Sequence, residues 1–361
     1  MTVLRLFPYE PDYSTKPGEV LEEYLRVRGM TKTELAQRCG RPQKTISEII
    51  HGKAAITAET ALQLERVLEV PASLWQGLEA NYRLHLAKVN ESSDFKSEVA
   101  WARRFPVAAM IKEGYIEKPA GDSELVEELL KFFGAGTVSG WHASFGCEQV
   151  AYRRSAAFRA APESVATWIR LGELAAKEVE TAPYKRASFR GLLPKVRNLS
   201  AQSFPSVQER LAGMCAAVGV AVVLVPELPK THLSGIARWL TRDKALIQLS
   251  MRFKTSDHLW FSFFHEAGHI LLHGKKTVFI DGRGDDISQL EQQANDFAAN
   301  TLIPPHAFAA FQRKADFSAT AIRRFAKDQG VAPGIVVGRL QHDKLIEYSR
   351  HSRLKEYLTW A

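Results

Sequence analysis

The sequence predicts a multidomain, mainly α protein. An N-terminal bundle of five short helices holds a helix-turn-helix, a helical connector follows, and a C-terminal α+β domain carries a small antiparallel sheet. Three observations predict it. Capped, amphipathic helical segments fill residues 1–88. Helical spacing without strand signals fills residues 89–200. From about residue 205, short apolar runs rich in Val, Ile and Leu alternate with helical ones, which sets the third domain at 201–361.

The first domain is the most legible. Pro17 suits a first helical position, and Val20, Leu21, Tyr24 and Leu25 line one face up to a stop at Gly29. Thr31-Lys32-Thr33-Glu34 reads as a capping box that starts a second helix, closed by Gly40. A third helix runs from about Pro42 to His51 and ends at Gly52. Two short helices around a tight Gly-containing turn make a helix-turn-helix. At about 100° per residue, Gln43, Lys44, Ser47, Glu48 and His51 share one face of the third helix and Ile46, Ile49 and Ile50 the other. Gln pairs with adenine and Lys with guanine in the major groove. The candidate DNA contacts are therefore Gln43, Lys44 and Ser47, with Thr45, Arg41 and Lys32 beside them. A helical protein-binding module would show the same pattern.

The stretch PGEVLEEYLRVRGMTKTELAQRCGRPQKTISEIIHGKAAITAETALQLERVLEVPASLWQGLEANYRL, residues 17–84, resembles the HigA branch of the XRE-type helix-turn-helix family. The resemblance implies an antitoxin or repressor that binds operator DNA as a homodimer, with a toxin protein as a possible partner. Pro42 departs from the pattern by standing where a Ser or Thr often caps the third helix.

The connector holds helices over VAWARRFPVAAMIKEGYI, over DSELVEELLKFFGAG with its stop at Gly134, and over CEQVAYRRSAAFRAA, with another starting at Pro162-Glu163. Trp101, Trp141 and Trp168 read as core residues. The formal net charge of +8 is concentrated near the middle of the chain, densest in YKRASFRGLLPKVR, residues 184–197, which has no acid. That stretch reads as a solvated linker, as a face packed on an acidic neighbour, or as a stripe that tracks phosphates.

In the third domain SVQERLAGMCAAVG is a helix, VAVVLVPEL a strand, and LSGIARWL with KALIQLS a hairpin around Thr241-Arg242-Asp243. Residues 318–346 read as two helices around a Gly-containing turn, either a structural layer of this domain or a second pair for DNA or a partner.

The chemistry lies in FHEAGHILLH, residues 264–273. His265 and His269 are one helical turn apart on one face, and Glu266 lies beside the first. Catalytic zinc takes about three protein ligands and keeps one open position, and a neighbouring glutamate takes the proton of the attacking water. A third ligand six residues on would need His where Lys275 stands. His273, one more turn on, lies near the site, but three consecutive turns fit one tetrahedral ion poorly. LEQQANDFAANTLIPP, residues 290–305, offers a second helix on which Glu291 and Asn295 share a face. Glu291 completes a His/His/Glu set, and Asn295 orients a histidine from behind.

HLWFSFFHEAGHILLHG together with ExxAN-x-FA resembles the ImmA/IrrE metallopeptidase family, itself similar to the gluzincins, over roughly residues 200–345. The resemblance implies Zn2+ on His265, His269 and Glu291, Glu266 as general base, and cleavage of a regulatory protein, typically a helix-turn-helix repressor. The structural alternative is a buried helix whose histidines are merely hydrogen-bonded. No apolar run reaches the length of a membrane span or signal peptide, and Cys39, Cys147 and Cys215 lie far apart, so a reduced, cytoplasmic setting with no membrane partner is expected.

Overall fold

The computed structural model describes residues 15–145, 161–273 and 284–359. The helix expected over 147–160 falls outside them. The chain divides into two compact units, Met1–Val99 with Ala120–Glu127, and Ala100–Pro119 with Glu128–Ala361.

In the first unit α1 (Pro17–Val27), α2 (Lys32–Cys39), α3 (Gln43–Ile50) and α4 (Ala58–Leu68) precede α5 (Ala72–Ala102). Leu21, Leu35, Ile46, Ala61, Leu64, Leu68 and Trp75 close the core and are fully buried. Thr31 caps α2 by accepting from the Glu34 amide at 3.1 Å, but Glu34 completes no box. Its carboxylate turns one helical turn forward to Arg38. Gly40 adopts φ 62° between α2 and α3, a conformation that favours glycine. α3 starts at Pro42 with no side-chain cap, as the departure from the family pattern implies. α5 continues without a break past residue 88.

In the second unit α6 (Val107–Lys112), α7 (Asp122–Phe133, which begins in the first unit), a helical turn over 138–145, and α8 (Pro162–Lys177) lead to α9 (Arg186–Leu199) and α10 (Phe204–Ala216). Trp101, Trp141 and Trp168 are 5%, 0% and 0% exposed, so they are core residues as their sequence context suggests. Trp168 ties α8 to the sheet: its ring nitrogen donates to the Val225 carbonyl, and its own carbonyl accepts from the buried Gln248 amide.

The sheet contains β1 (Val220–Leu224), β2 (Gly235–Thr241) and β3 (Lys244–Leu249) in the order β1-β3-β2. All three expected strands form, but the sheet is mixed, which corrects the antiparallel sheet expected. The tight turn at 242–243 forces β2 and β3 antiparallel, with the Asp243 amide donating to Thr241 Oγ1. The segment 225–234 carries the chain away from β1, which then pairs parallel with the free side of β3.

Helices α11 (Ser256–Leu272), α12 (Gly284–Leu302), α13 (Pro305–Arg313), α14 (Ala319–Gln329) and α15 (Pro333–His342) complete the unit. Trp260, Phe263, Phe264 and Ala267 of α11 are fully buried against β3, α10 and α15. Val336, Val337 and Leu340 of α15 join the same core, so the helix pair at 318–346 forms a structural layer over the metal-motif helix.

The basic stretch 184–197 is α9, and two of its cations have structural work. Arg186 donates to the Leu271 carbonyl at the end of α11. Arg197 donates to the Leu302 carbonyl at the end of α12 and the Gln329 carbonyl at the end of α14. Helix C-termini expose unpaired carbonyls and the negative end of the helix dipole, so guanidinium groups are suited to that position. One helix thereby fixes the ends of both helices that carry the candidate site.

Candidate metal centre

The site forms where α11 and α12 lie side by side. Gly268, between the two histidines, permits the close approach. A Cβ there would come 3.2 Å from Phe297 Cδ1 and 3.3 Å from Ala294 Cα. Ala294 and Ala298 of α12 are fully buried. Small residues bring Glu291 and Asn295 within reach of the histidines.

His265 Nε2 lies 3.2 Å from Glu291 Oε2, and His269 Nε2 lies 3.5 Å from Glu291 Oε1. The two Nε2 atoms are 2.9 Å apart. One ligand atom from each of His265, His269 and Glu291 lies within 4.8 Å of the others. His265 Nδ1 is 3.0 Å from Asn295 Oδ1. An amide oxygen only accepts, so Nδ1 carries the hydrogen and Nε2 presents its lone pair. The Nε2 atoms of two rings and a carboxylate thus converge on one point, a costly arrangement unless a proton or a cation sits among them. The donor set of two imidazoles and a carboxylate fits a divalent metal such as zinc.

Electrostatics follow from this crowding. Burial pushes the His269 pKa down, and the neighbouring His265 adds to it, so the ring is held neutral. For His265 burial opposes the cation, but the Glu291 hydrogen bond and the Glu266 and Glu291 charges outweigh it and raise the pKa. Burial works against the Glu291 carboxylate, but hydrogen bonding to His265 and the nearby rings keep its pKa below the usual value. The lowered values of His269 and Glu291 favour their metal-binding forms, whereas the raised value of His265 makes its ring the one that gives up a proton when a metal enters.

Glu266, next to His265 in the chain, is 6% exposed and accepts from the backbone amide of Ala237 on β2. Burial raises its pKa to about 7, partly offset by His265 and by the backbone amide of Ala237. Gly235, at the start of β2, makes room for this carboxylate. A Cβ there would stand 2.9 Å from Glu266 Oε1 and 3.0 Å from its Cγ. A carboxyl group with a pKa near neutrality is suited to take up and return a proton.

The structure brings together all the metal-centre residues read from the sequence: His265, Glu266, His269, Glu291 and Asn295. His273 lies behind His269, its Nδ1 3.0 Å from His269 Nδ1, rather than in the converging set. Sequence reasoning missed Gln293, whose Oε1 is 3.3 Å from His273 Nε2, and the Gly235–Ala237 stretch of β2.

On α3, Gln43 and Lys44 are exposed, while Thr45 and Ser47 are half-buried. Arg41 is held by α4, donating from Nε to Gln63 Oε1 at 2.8 Å and pairing with Glu59 at 2.8 Å. Lys32 pairs with Glu22 at 2.7 Å. Lys44 also pairs with Glu48, at 3.8 Å, yet Gln43 and Lys44 remain the most exposed side chains of α3.

Comparison with known proteins agrees with both units. A helix-turn-helix family model matches residues 21–75, and one described as the IrrE N-terminal-like domain matches residues 221–341. Virulence-associated protein I of Dichelobacter nodosus is 36% identical over 78 residues, which cover 21% of this chain and 72% of that protein. Virulence-associated protein A of the same organism is 37% identical over 70 residues, covering 19% and 69%. A solved structure of an addiction module antidote protein of the HigA family from Coxiella burnetii matches at 28% identity over 23% of this chain and 92% of that one, with a TM-score of 0.22. Among the described residues no helix is long and apolar enough to cross a membrane. At its N-terminus the chain belongs to the XRE-type helix-turn-helix family of DNA-binding proteins, and it joins that domain to an IrrE-like metallopeptidase domain.

Proposed function

We propose that this chain is an antitoxin-like transcriptional regulator whose C-terminal domain is a zinc-dependent endopeptidase that cuts a regulatory protein. The observation that carries the reading is the convergence of His265, His269 and Glu291 beside the buried carboxylate of Glu266. Zinc held by the three side chains would supply Lewis acidity to the scissile carbonyl. Glu266 takes the proton of the attacking water on its carboxylate and passes it to the nitrogen of the leaving peptide. Asn295 holds the His265 ring from behind. Buried free thiols at Cys39 and Cys215 suit work in the cytoplasm.

The purified protein is expected to hold about one zinc per chain, in keeping with a three-ligand catalytic site. His265→Ala or Glu291→Ala should lose it, as read by elemental analysis. A wild-type protein that takes up no zinc when supplied with it removes the peptidase reading.

The N-terminal domain is proposed to bind operator DNA as a homodimer, with a toxin protein or a repressor substrate as its partner. Gln43→Ala and Lys44→Ala should each weaken binding to the promoter of the chain's own gene by roughly 1–3 kcal/mol if they contact bases. Gel shifts unchanged by both substitutions would point to a protein-binding role for α3.

A second reading rests on the burial of Glu266, which is 6% exposed and bonded to the Ala237 amide. The centre then stiffens a partner-binding or sensing domain and performs no turnover.

A further inference from the structure

The two nitrogens of a histidine ring are distinct, and the hydrogen bond made by one decides which form the other takes. For His265 the partner is the Asn295 oxygen. Among the described residues no such oxygen meets His269: its Nδ1 faces His273 Nδ1 at 3.0 Å. Two ring nitrogens bond only when one carries hydrogen and the other does not, so this contact alone leaves the form of His269 open.

Gln293 resolves it. Its Oε1 lies 3.3 Å from His273 Nε2 and accepts from it. A neutral His273 with hydrogen on Nε2 has a lone pair on Nδ1, so His269 Nδ1 must donate. The lone pair of His269 then sits on Nε2, 3.5 Å from Glu291 Oε1 and 2.9 Å from His265 Nε2. The reverse direction would place hydrogen on His269 Nε2 and aim it into the metal set, where it would block ligation.

We propose that Gln293 and His273 form a positioning relay that fixes the tautomer and ring angle of His269, as Asn295 does for His265. The inference rests on the metal-centre reading above. It assigns His273 a place behind the ligands and gives Gln293 a role that its sequence position does not suggest. Gln293 lies on the exposed side of α12, two residues from both Glu291 and Asn295.

The test uses the full-length protein loaded with Zn2+ or Co2+. Zinc affinity is measured by competition with a chromophoric chelator, and the visible absorption of the cobalt form reports ligand geometry. His273→Ala and Gln293→Leu should each lower zinc affinity roughly 10–100-fold, the usual effect of removing a partner behind a ligand, and should alter the cobalt spectrum. Because they act through one chain, the double variant should be no weaker than His273→Ala alone. Gln293→Glu keeps an acceptor oxygen and should restore wild-type affinity and spectrum. Gln293 is exposed, so its variants test the relay even if His273→Ala folds poorly. Unchanged affinity and spectrum in Gln293→Leu and His273→Ala would overturn the relay while leaving the metal centre intact. A folded His273→Ala protein that binds no metal would also overturn it, by making His273 a ligand. A wild-type protein that binds neither ion overturns both the relay and the centre.

Discussion

Glu266→Gln is expected to keep zinc and to lose peptide hydrolysis by roughly 10²–10⁴-fold, the usual contribution of a general base. Gln has nearly the shape of Glu, and its amide oxygen still accepts from the Ala237 amide, so the fold and the three ligands stay in place. What it cannot do is hold a proton between the attacking water and the leaving nitrogen. The rate is read on whichever helix-turn-helix protein the wild type cuts when such proteins are screened as substrates. A variant that holds zinc and cuts at the wild-type rate would exclude Glu266 as the base. If the wild type holds zinc and cuts none of them, the reading of the domain as a sensor or scaffold takes its place.

The same substitution has a second readout that needs no substrate. In the metal-free protein burial raises the Glu266 pKa from 4.5 to about 7. The folded state therefore binds a proton more tightly than the unfolded state does. The stability conferred by the protonated carboxyl is fully present below pH 4.5 and is lost as pH rises through about 7. A side-chain amide has no proton to lose in that range, so Glu266→Gln should flatten that part of the profile of unfolding temperature against pH.

Much of the centre was legible because helices impose a simple rule of spacing. His265 and His269, and Glu291 and Asn295, are each four residues apart, so each pair points from one helix face. Two polar pairs on two otherwise apolar seams have few physical solutions, and a shared cation is one. Gln293 escaped because it lies off the face shared by Glu291 and Asn295 and reaches His273 only through a long side chain. The strands were legible from their apolar runs, but pairing is a non-local choice. Nothing in VAVVL states that it joins β3 in parallel, on the side that β2 leaves free. The basic stretch 184–197 kept three readings open because charge alone does not reveal its partner. For Arg186 and Arg197 the partners are carbonyls at helix ends, which leave no mark in sequence. The first domain is expected from sequence to end at residue 88, but the fifth helix continues to Ala102 because no Pro or Gly interrupts it after Gly77.

Lys355→Ala is expected to destabilise the second unit by about 3–5 kcal/mol, the cost of stranding one charge of a buried pair. Lys355 Nζ lies 2.8 Å from Asp257 Oδ2, and the two side chains are 9% and 4% exposed. The pair joins the C-terminal segment to the first turn of α11, the helix that carries His265 and His269. Backbone bonds reinforce the join: the Ser256 amide donates to the Glu356 carbonyl, and the Leu358 amide to the Lys254 carbonyl. Among the described residues Asp257 Oδ1 has no hydrogen-bond partner, and Gly338 lies so close to Oδ2 that a Cβ there would come within 2.7 Å. Removing the carboxylate as well should recover much of the loss, because an apolar pair of similar size has no charge to strand. Asp257→Leu with Lys355→Met should therefore be more stable than Lys355→Ala alone. Urea unfolding of the wild type, Lys355→Ala, Asp257→Leu, and Asp257→Leu with Lys355→Met measures each loss. A loss below about 1 kcal/mol for Lys355→Ala, the range of an exposed pair, would show that water reaches Asp257 and that the tail does not anchor α11 through this contact.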